Sequence, residues 1–130
     1  DLSLLTPLLD FENDYCREDC VRCTQVCPSG ALSPIAIEDK QQVSIGLPQV
    51  DMDICLLGED RECALCRNWC PYAAITYKFS PKTYMVTPQV DPKKCNGCGA
   101  CETACPTEPV KAIRVVAERT DRIHAPTLRR

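Results

Sequence analysis

The sequence has 130 residues, 12 of them cysteine, against two Phe, four Tyr and one Trp. So short a chain excludes a barrel-type enzyme, and so few large apolar side chains leave a core too thin to hold by itself, so the cysteines must staple it through disulfides or metal. The formal charge of −3 hides an asymmetry: residues 1–60 carry 12 acidic and 3 basic side chains, residues 61–130 carry 6 acidic and 12 basic, a dipole suited to steering a charged partner and equally an ordinary solvated surface.

The chain opens at Asp1 and not at Met, which reads as a processed product or an excised piece of something longer. No apolar run is long enough to span a bilayer, and no signal peptide or twin-arginine stretch is visible. Phe11-Glu12, an apolar–acidic pair, stands five residues ahead of a first cysteine group, Cys16-Arg-Glu-Asp-Cys20-Val-Arg-Cys23-Thr-Gln-Val-Cys27-Pro28, and Ala31-Leu32 follows it. Ala36-Ile37 and the alternating Val43–Leu47 predict a strand pair across Glu38–Gln42. Val50-Asp51 then stands five residues ahead of Cys55, which after seven residues leads into Cys63-Ala-Leu-Cys66-Arg-Asn-Trp-Cys70-Pro71 and Ala74-Ile75. Ile75–Phe79 and Thr83–Val86 alternate around Ser80-Pro81-Lys82 and predict a hairpin. Val90-Asp91 opens a third group, Cys95-Asn-Gly-Cys98-Gly-Ala-Cys101-Glu-Thr-Ala-Cys105-Pro106, closed by Ala112-Ile113. Glu118–Arg130 is polar without an apolar period and reads as a loose tail.

All three groups share C-x2-C-x3-C-P, so the chain is an internal repeat. Cys23 and Cys27, Cys66 and Cys70, and Cys101 and Cys105 are each spaced i, i+4, one turn apart on a helix face. The following Pro disfavours helical geometry at the preceding Cys and ends the turn. Gly97 and Gly99 loosen the third loop and let backbone approach a bound group closely. The predicted fold is α+β: ferredoxin-like tandem repeats of short strand, cysteine loop and short helix built around [4Fe-4S] clusters.

The spacing carries the chemistry. A [4Fe-4S] cube needs a thiolate on each iron; in two-cluster ferredoxins the run C-x2-C-x2-C-x3-C-P supplies three to one cube and its fourth cysteine to the other. Residues 95–106 match that run at every fixed position, and the first two groups match it with a lengthened first gap. Disulfides require no such threefold recurrence, and a tetrahedral zinc site usually takes two separated pairs rather than a run of four. Cys16-x3-Cys20-x2-Cys23 also coincides with the triplet of radical S-adenosylmethionine enzymes, but it continues into Cys27-Pro28 and the chain cannot build their barrel.

With the fourth cysteine crossing over, the shared stretched gap pairs groups one and two. Cluster A is expected on Cys16, Cys20, Cys23 and Cys70, and cluster B on Cys55, Cys63, Cys66 and Cys27. Cluster C has Cys95, Cys98 and Cys101, with Cys105 or an exogenous ligand closing it. Three clusters result, two with complete ligand sets. Residues 10–80 would form a two-cluster unit, 81–117 half of a second, and 118–130 a tail. The rival pairing joins groups two and three.

Residues 10–116 resemble the C-terminal three-quarters of four-cluster polyferredoxins, the quinol dehydrogenase ferredoxin subunits of periplasmic nitrate reductase and methylamine utilisation systems. The resemblance rests on Val26-Cys27-Pro28-Ser29-Gly30-Ala31, on the long gap from Cys55 to Cys63, and on the compact run at Cys95–Cys101. The family's first cysteine group has no counterpart here, which reads as a fragment or truncated member and leaves cluster C in question. The resemblance implies ferredoxin-type folding. It also implies a relay of single electrons from a membrane quinol-oxidising partner to a terminal reductase, in the cytoplasm or membrane-associated on the periplasmic face.

No acid–base pair or nucleophile–histidine arrangement supports catalysis, so the chain reads as an electron carrier; the alternative is an enzyme domain acting on substrate through an open iron, cluster C being the candidate. Backbone N–H groups around Gly97 and Gly99 are candidate hydrogen-bond donors to sulfur. Trp69 and Tyr72 flank Cys70-Pro71 and read as packing between units, with cluster shielding as the other role. His124, the lone histidine, and Arg119, Arg122, Arg129 and Arg130 read as solvated tail residues. No aromatic–basic interleaving points to nucleic acid.

Overall fold

The computed structural model describes residues 9–117; the expected tail, with His124 and its arginines, lies outside the described residues. Three five-residue helices, α1 (Arg22–Val26), α2 (Leu65–Trp69) and α3 (Ala100–Ala104), alternate with four strands. The strands are β1 (Leu47–Val50), β2 (Ile75–Ser80), β3 (Met85–Val90) and β4 (Ile113–Val116). One-turn 3₁₀ helices cover Lys40–Gln42 and Leu56–Glu59. The fold is mixed α+β, as the alternation of strand and cysteine-loop signals predicts.

Each α-helix begins one residue before the third cysteine of its group and stops one residue before the fourth. Cys27, Cys70 and Cys105 are extended, with ψ of 110°, 112° and 125°, because each precedes a proline whose ring excludes helical ψ at that position. At each fourth cysteine φ stays helical, −65°, −69° and −64°, so the proline turns out of the helix only the chain that follows.

The predicted hairpin forms: β2 and β3 pair antiparallel from Ile75↔Val90 to Ser80↔Met85. The predicted pairing of Ala36-Ile37 with Val43–Leu47 does not. Residues 36–42 curl into a turn and a 3₁₀ helix, with Asp39 N–H bonded to Ala36 O and Lys40 N–H to Ile37 O. Ile45 N–H goes to Asn96 O at 2.7 Å, and β1 pairs antiparallel with β4, Leu47↔Val116 to Val50↔Ile113. That partner lies in the expected second unit and brings a deeply buried residue, Ile113, into register with Val50.

Each sheet is extended at one end by a matching bond. Asp51 N–H donates to Ala112 O at 2.7 Å and Asp91 N–H to Ala74 O at 2.8 Å. Asp51 and Asp91 each accept, at Oδ1, the N–H two residues on, and at their carbonyl the N–H of the first cysteine, Cys55 or Cys95. The apolar–acidic pairs of the sequence are thus strand ends whose Asp folds the chain into the cysteine loop. Between the sheets α2 packs on α3. The core there is small: Ile75, Cys101, Cys105, Ala112 and Ile113, with Val50, Ile54, Cys55, Cys66, Cys70, Tyr77 and Val90 against it. Five of those twelve side chains are cysteines, which is how a chain so poor in aromatics closes a core.

Group one lies across group three. Phe11 is buried, its carbonyl accepting from Thr103 Oγ1 at 2.7 Å, and Cys16 N–H donates to Cys98 O at 2.8 Å. Gly97 and Gly99 have φ of +81° and +84°. Their missing side chains make room for these neighbours: a Cβ at Gly97 would stand 2.4 Å from the Gly46 backbone, and one at Gly99 2.2 Å from the Phe11 ring.

Candidate metal centre

Four thiols from two groups meet at one pocket. Cys55, Cys63, Cys66 and Cys105 line it together with Val50, Leu56, Pro88 and Ile113. Cys105, not Cys27, is the fourth member. The reciprocal set is Cys95, Cys98 and Cys101 with Cys70: the charge of Cys70 acts on both Cys95 and Cys98, and Cys95 and Cys98 act on Cys101. The two sets adjoin where α2 packs on α3, with Cys66 against the core that holds Cys101. The thiols brought together here belong to groups two and three, where the sequence reading paired groups one and two. The length of the first gap, from which that pairing was argued, lies at the far end of each group from the cysteine that crosses over.

Among the described residues no three or more His, Cys, Asp or Glu side chains converge to single-ion distances. The chemistry of the thiols fits a cationic cluster core. Burial pushes the Cys55, Cys66, Cys95, Cys98 and Cys101 thiols above their ordinary range, and neighbouring thiols add to the rise. Thiolates crowded in an apolar pocket are costly unless iron neutralises them, so binding iron expels protons and stabilises the fold together. Against burial, amide hydrogens point at sulfur. Gly97 N–H serves Cys95, as predicted; Ala100 N–H, rather than Gly99 N–H, serves Cys98. Ala74 N–H donates to Cys70 Sγ at 3.3 Å. Burial also raises Cys105, but Thr107 Oγ1 and the amides of Thr107, Ile113 and Ala112 outweigh it and leave that thiol lowered.

Group one repeats this local design. Its helix is entered from Val21 at φ −126°, ψ 19° and left through Cys27 at φ −65°; the equivalents in group two are Ala64 at −131°, 9° and Cys70 at −69°. Gly30 N–H bonds Cys27 O as Ala73 N–H bonds Cys70 O. Cys16 acts electrically on Cys98, so the group abuts the Cys70 set. Cys20 and Cys23 are exposed. Cys27 stands outside both interleaved sets: the groups acting on it are its own neighbours, led by the Ser29 hydroxyl, which lower its thiol to about 7.

Residues 61–108 match the 4Fe-4S dicluster domain. The chain carries a ferredoxin-type 4Fe-4S domain. The match covers the last three cysteines of group two and all of group three, the two groups whose thiols interleave. The chain is 32% identical over 118 residues to the methylamine utilization ferredoxin-type protein MauM of Methylobacillus flagellatus, covering 85% of this chain and 49% of that protein. It is 33% identical over 107 residues to the ferredoxin-type protein NapF of Escherichia coli K12, covering 82% and 60%. With the ferredoxin-type protein NapG of the same strain it shares 34% over 115 residues, covering 82% and 48%. It spans about half the length of the curated relatives it matches.

Several residues at the site carry no cysteine signal. Tyr77 donates to Cys63 O at 2.9 Å, its hydroxyl lies 3.5 Å from Cys66 Sγ, and Arg67 stacks 4.7 Å from its ring centre. Its inward position on alternating β2 was legible; its contact with two cysteines was not. Asn96, 1% exposed, donates to Tyr72 Oη at 3.1 Å, so Tyr72 does pack between groups two and three. Trp69, by contrast, is 50% exposed and meets Tyr15 edge-on at 6.4 Å.

Proposed function

We propose that the chain is an electron carrier in which groups two and three form a two-cluster ferredoxin unit over residues 47–116 and group one holds a third [4Fe-4S] cluster beside it. Cys55, Cys63, Cys66 and Cys105 are the ligands of one cluster, Cys70, Cys95, Cys98 and Cys101 of the second, and Cys16, Cys20 and Cys23 hold the third, whose fourth iron takes an exogenous ligand. The observation that carries the reading is the reciprocal crossing of Cys70 and Cys105 between two thiol sets that adjoin where α2 packs on α3. A [4Fe-4S] cluster supplies reversible one-electron chemistry when bound. The chain's own residues exclude water around the buried thiols, donate amide hydrogens to sulfur and hold the two sets in contact. Cys16 N–H, bonded to Cys98 O, joins group one to the second set.

Relatives named as ferredoxin-type proteins support the electron-carrier reading; the family resemblance of the sequence suggests a membrane quinol-oxidising partner as donor and a terminal reductase as acceptor. Among the described residues no helix is long and apolar enough to cross a membrane. Anaerobic reconstitution with iron and sulfide tests the reading. We expect about 12 iron and as many sulfides per chain and three reversible one-electron steps; zinc without sulfide, or redox silence, would contradict it.

A further inference from the structure

Lys40 is the one buried side chain with a full charge among the described residues, 5% exposed. Its Nζ donates to Arg17 O and Cys20 O, both inside the loop between the first and third cysteines of group one. The ion pairs among the described residues are Arg61–Glu59 and Lys111–Glu108, so no described carboxylate balances it. A buried ammonium held only by carbonyl dipoles is costly unless an anion lies close by. The loop it enters is the one that presents Cys16, Cys20 and Cys23, whose thiolates with a cluster would be that anion.

We propose that Lys40 is the electrostatic positioning residue of the group-one cluster. It clamps the loop through two carbonyls and, by its charge, raises that cluster's reduction potential. The inference rests on the three-cluster reading above and extends it to a residue outside every cysteine motif. Reduction adds one negative charge to a cluster, and a fixed cation nearby favours the reduced form. Group three offers an internal contrast: Lys111 Nζ also donates to a cysteine carbonyl, Cys105 O, at 2.7 Å, but Glu108 Oε1 stands 3.2 Å away and offsets its charge. Group one joins the other sites through Cys98, so a raised potential there draws electrons out of the two-cluster unit.

The test is a redox titration followed by electron paramagnetic resonance on the reconstituted full chain, with Lys40→Met, Lys40→Gln and Lys40→Arg. Cys23→Ala identifies the group-one centre as the one it removes or alters. In Lys40→Met and Lys40→Gln the midpoint of that centre is expected to fall while the other two stay, and Lys40→Arg to restore it. Lys111→Met is expected to shift its own centre less. An unchanged midpoint at wild-type iron and sulfide content would overturn the proposal, as would loss of the group-one centre in both neutral variants, which would make Lys40 a structural clamp. If the wild type itself held fewer than three centres, the cluster reading would have failed before Lys40 was tested.

Discussion

Tyr77 and Gly99 show how much of the site rests on residues that bind nothing. The Tyr77 hydroxyl reaches Cys63 O and Cys66 Sγ. Tyr77→Phe should therefore lower the midpoint of the Cys55-set centre in a redox titration and cost about 1 kcal/mol in denaturant unfolding. Gly99 has φ +84° with the Phe11 ring where a Cβ would go. Gly99→Ala should cost more than about 1 kcal/mol from the backbone alone and speed iron loss to a chelator by loosening group one. Cys27 is a third case. Its thiol, lowered to about 7, gains its thiolate as pH rises through 7. Alkylation of the holoprotein at Cys27 should rise over that range and outpace Cys70 and Cys105; protection of Cys27 would mean that it is a ligand. The twelve cysteines were legible because thiolate spacing is chemistry written locally. Lys40, Asn96 and Thr107 were not, because each acts through backbone or hydroxyl groups brought near only by folding.

At the scale of elements, the helix stops and the β2–β3 hairpin followed from the sequence because proline geometry and alternation are local. The β1–β4 pairing did not, since Val50 and Ile113 are 63 residues apart and nothing in either strand names its partner. Similar spacing suggested pairing groups one and two, while the contact between α2 and α3 brings groups two and three together. Ile113 is 3% exposed and sits in the strand that closes this unit. Ile113→Ala should cost roughly 2–5 kcal/mol by denaturant titration, with loss of the Cys55-set centre on mild warming, since Ala112 and Ile113 amides also face Cys105.

For the whole molecule, cysteine thiols stand where aromatic side chains would fill a larger core, so metal and fold should be lost together. Chelating the iron should abolish the far-ultraviolet signature of the folded chain in one transition, and retention of full structure without iron would show that the apolar core suffices. The formal charge of −3 becomes more negative as clusters bind, each carrying about −2 with its thiolates, which favours a basic docking surface on the redox partner. The crossing of Cys105 and Cys70 between groups two and three can be read out by electron paramagnetic resonance of oxidised Cys105→Ala beside Cys27→Ala. Cys105→Ala is expected to convert one centre to a three-iron cluster or lose it, while Cys27→Ala leaves both centres of the two-cluster unit intact. The reverse pattern would return Cys27 to Cys55, Cys63 and Cys66 and contradict that crossing.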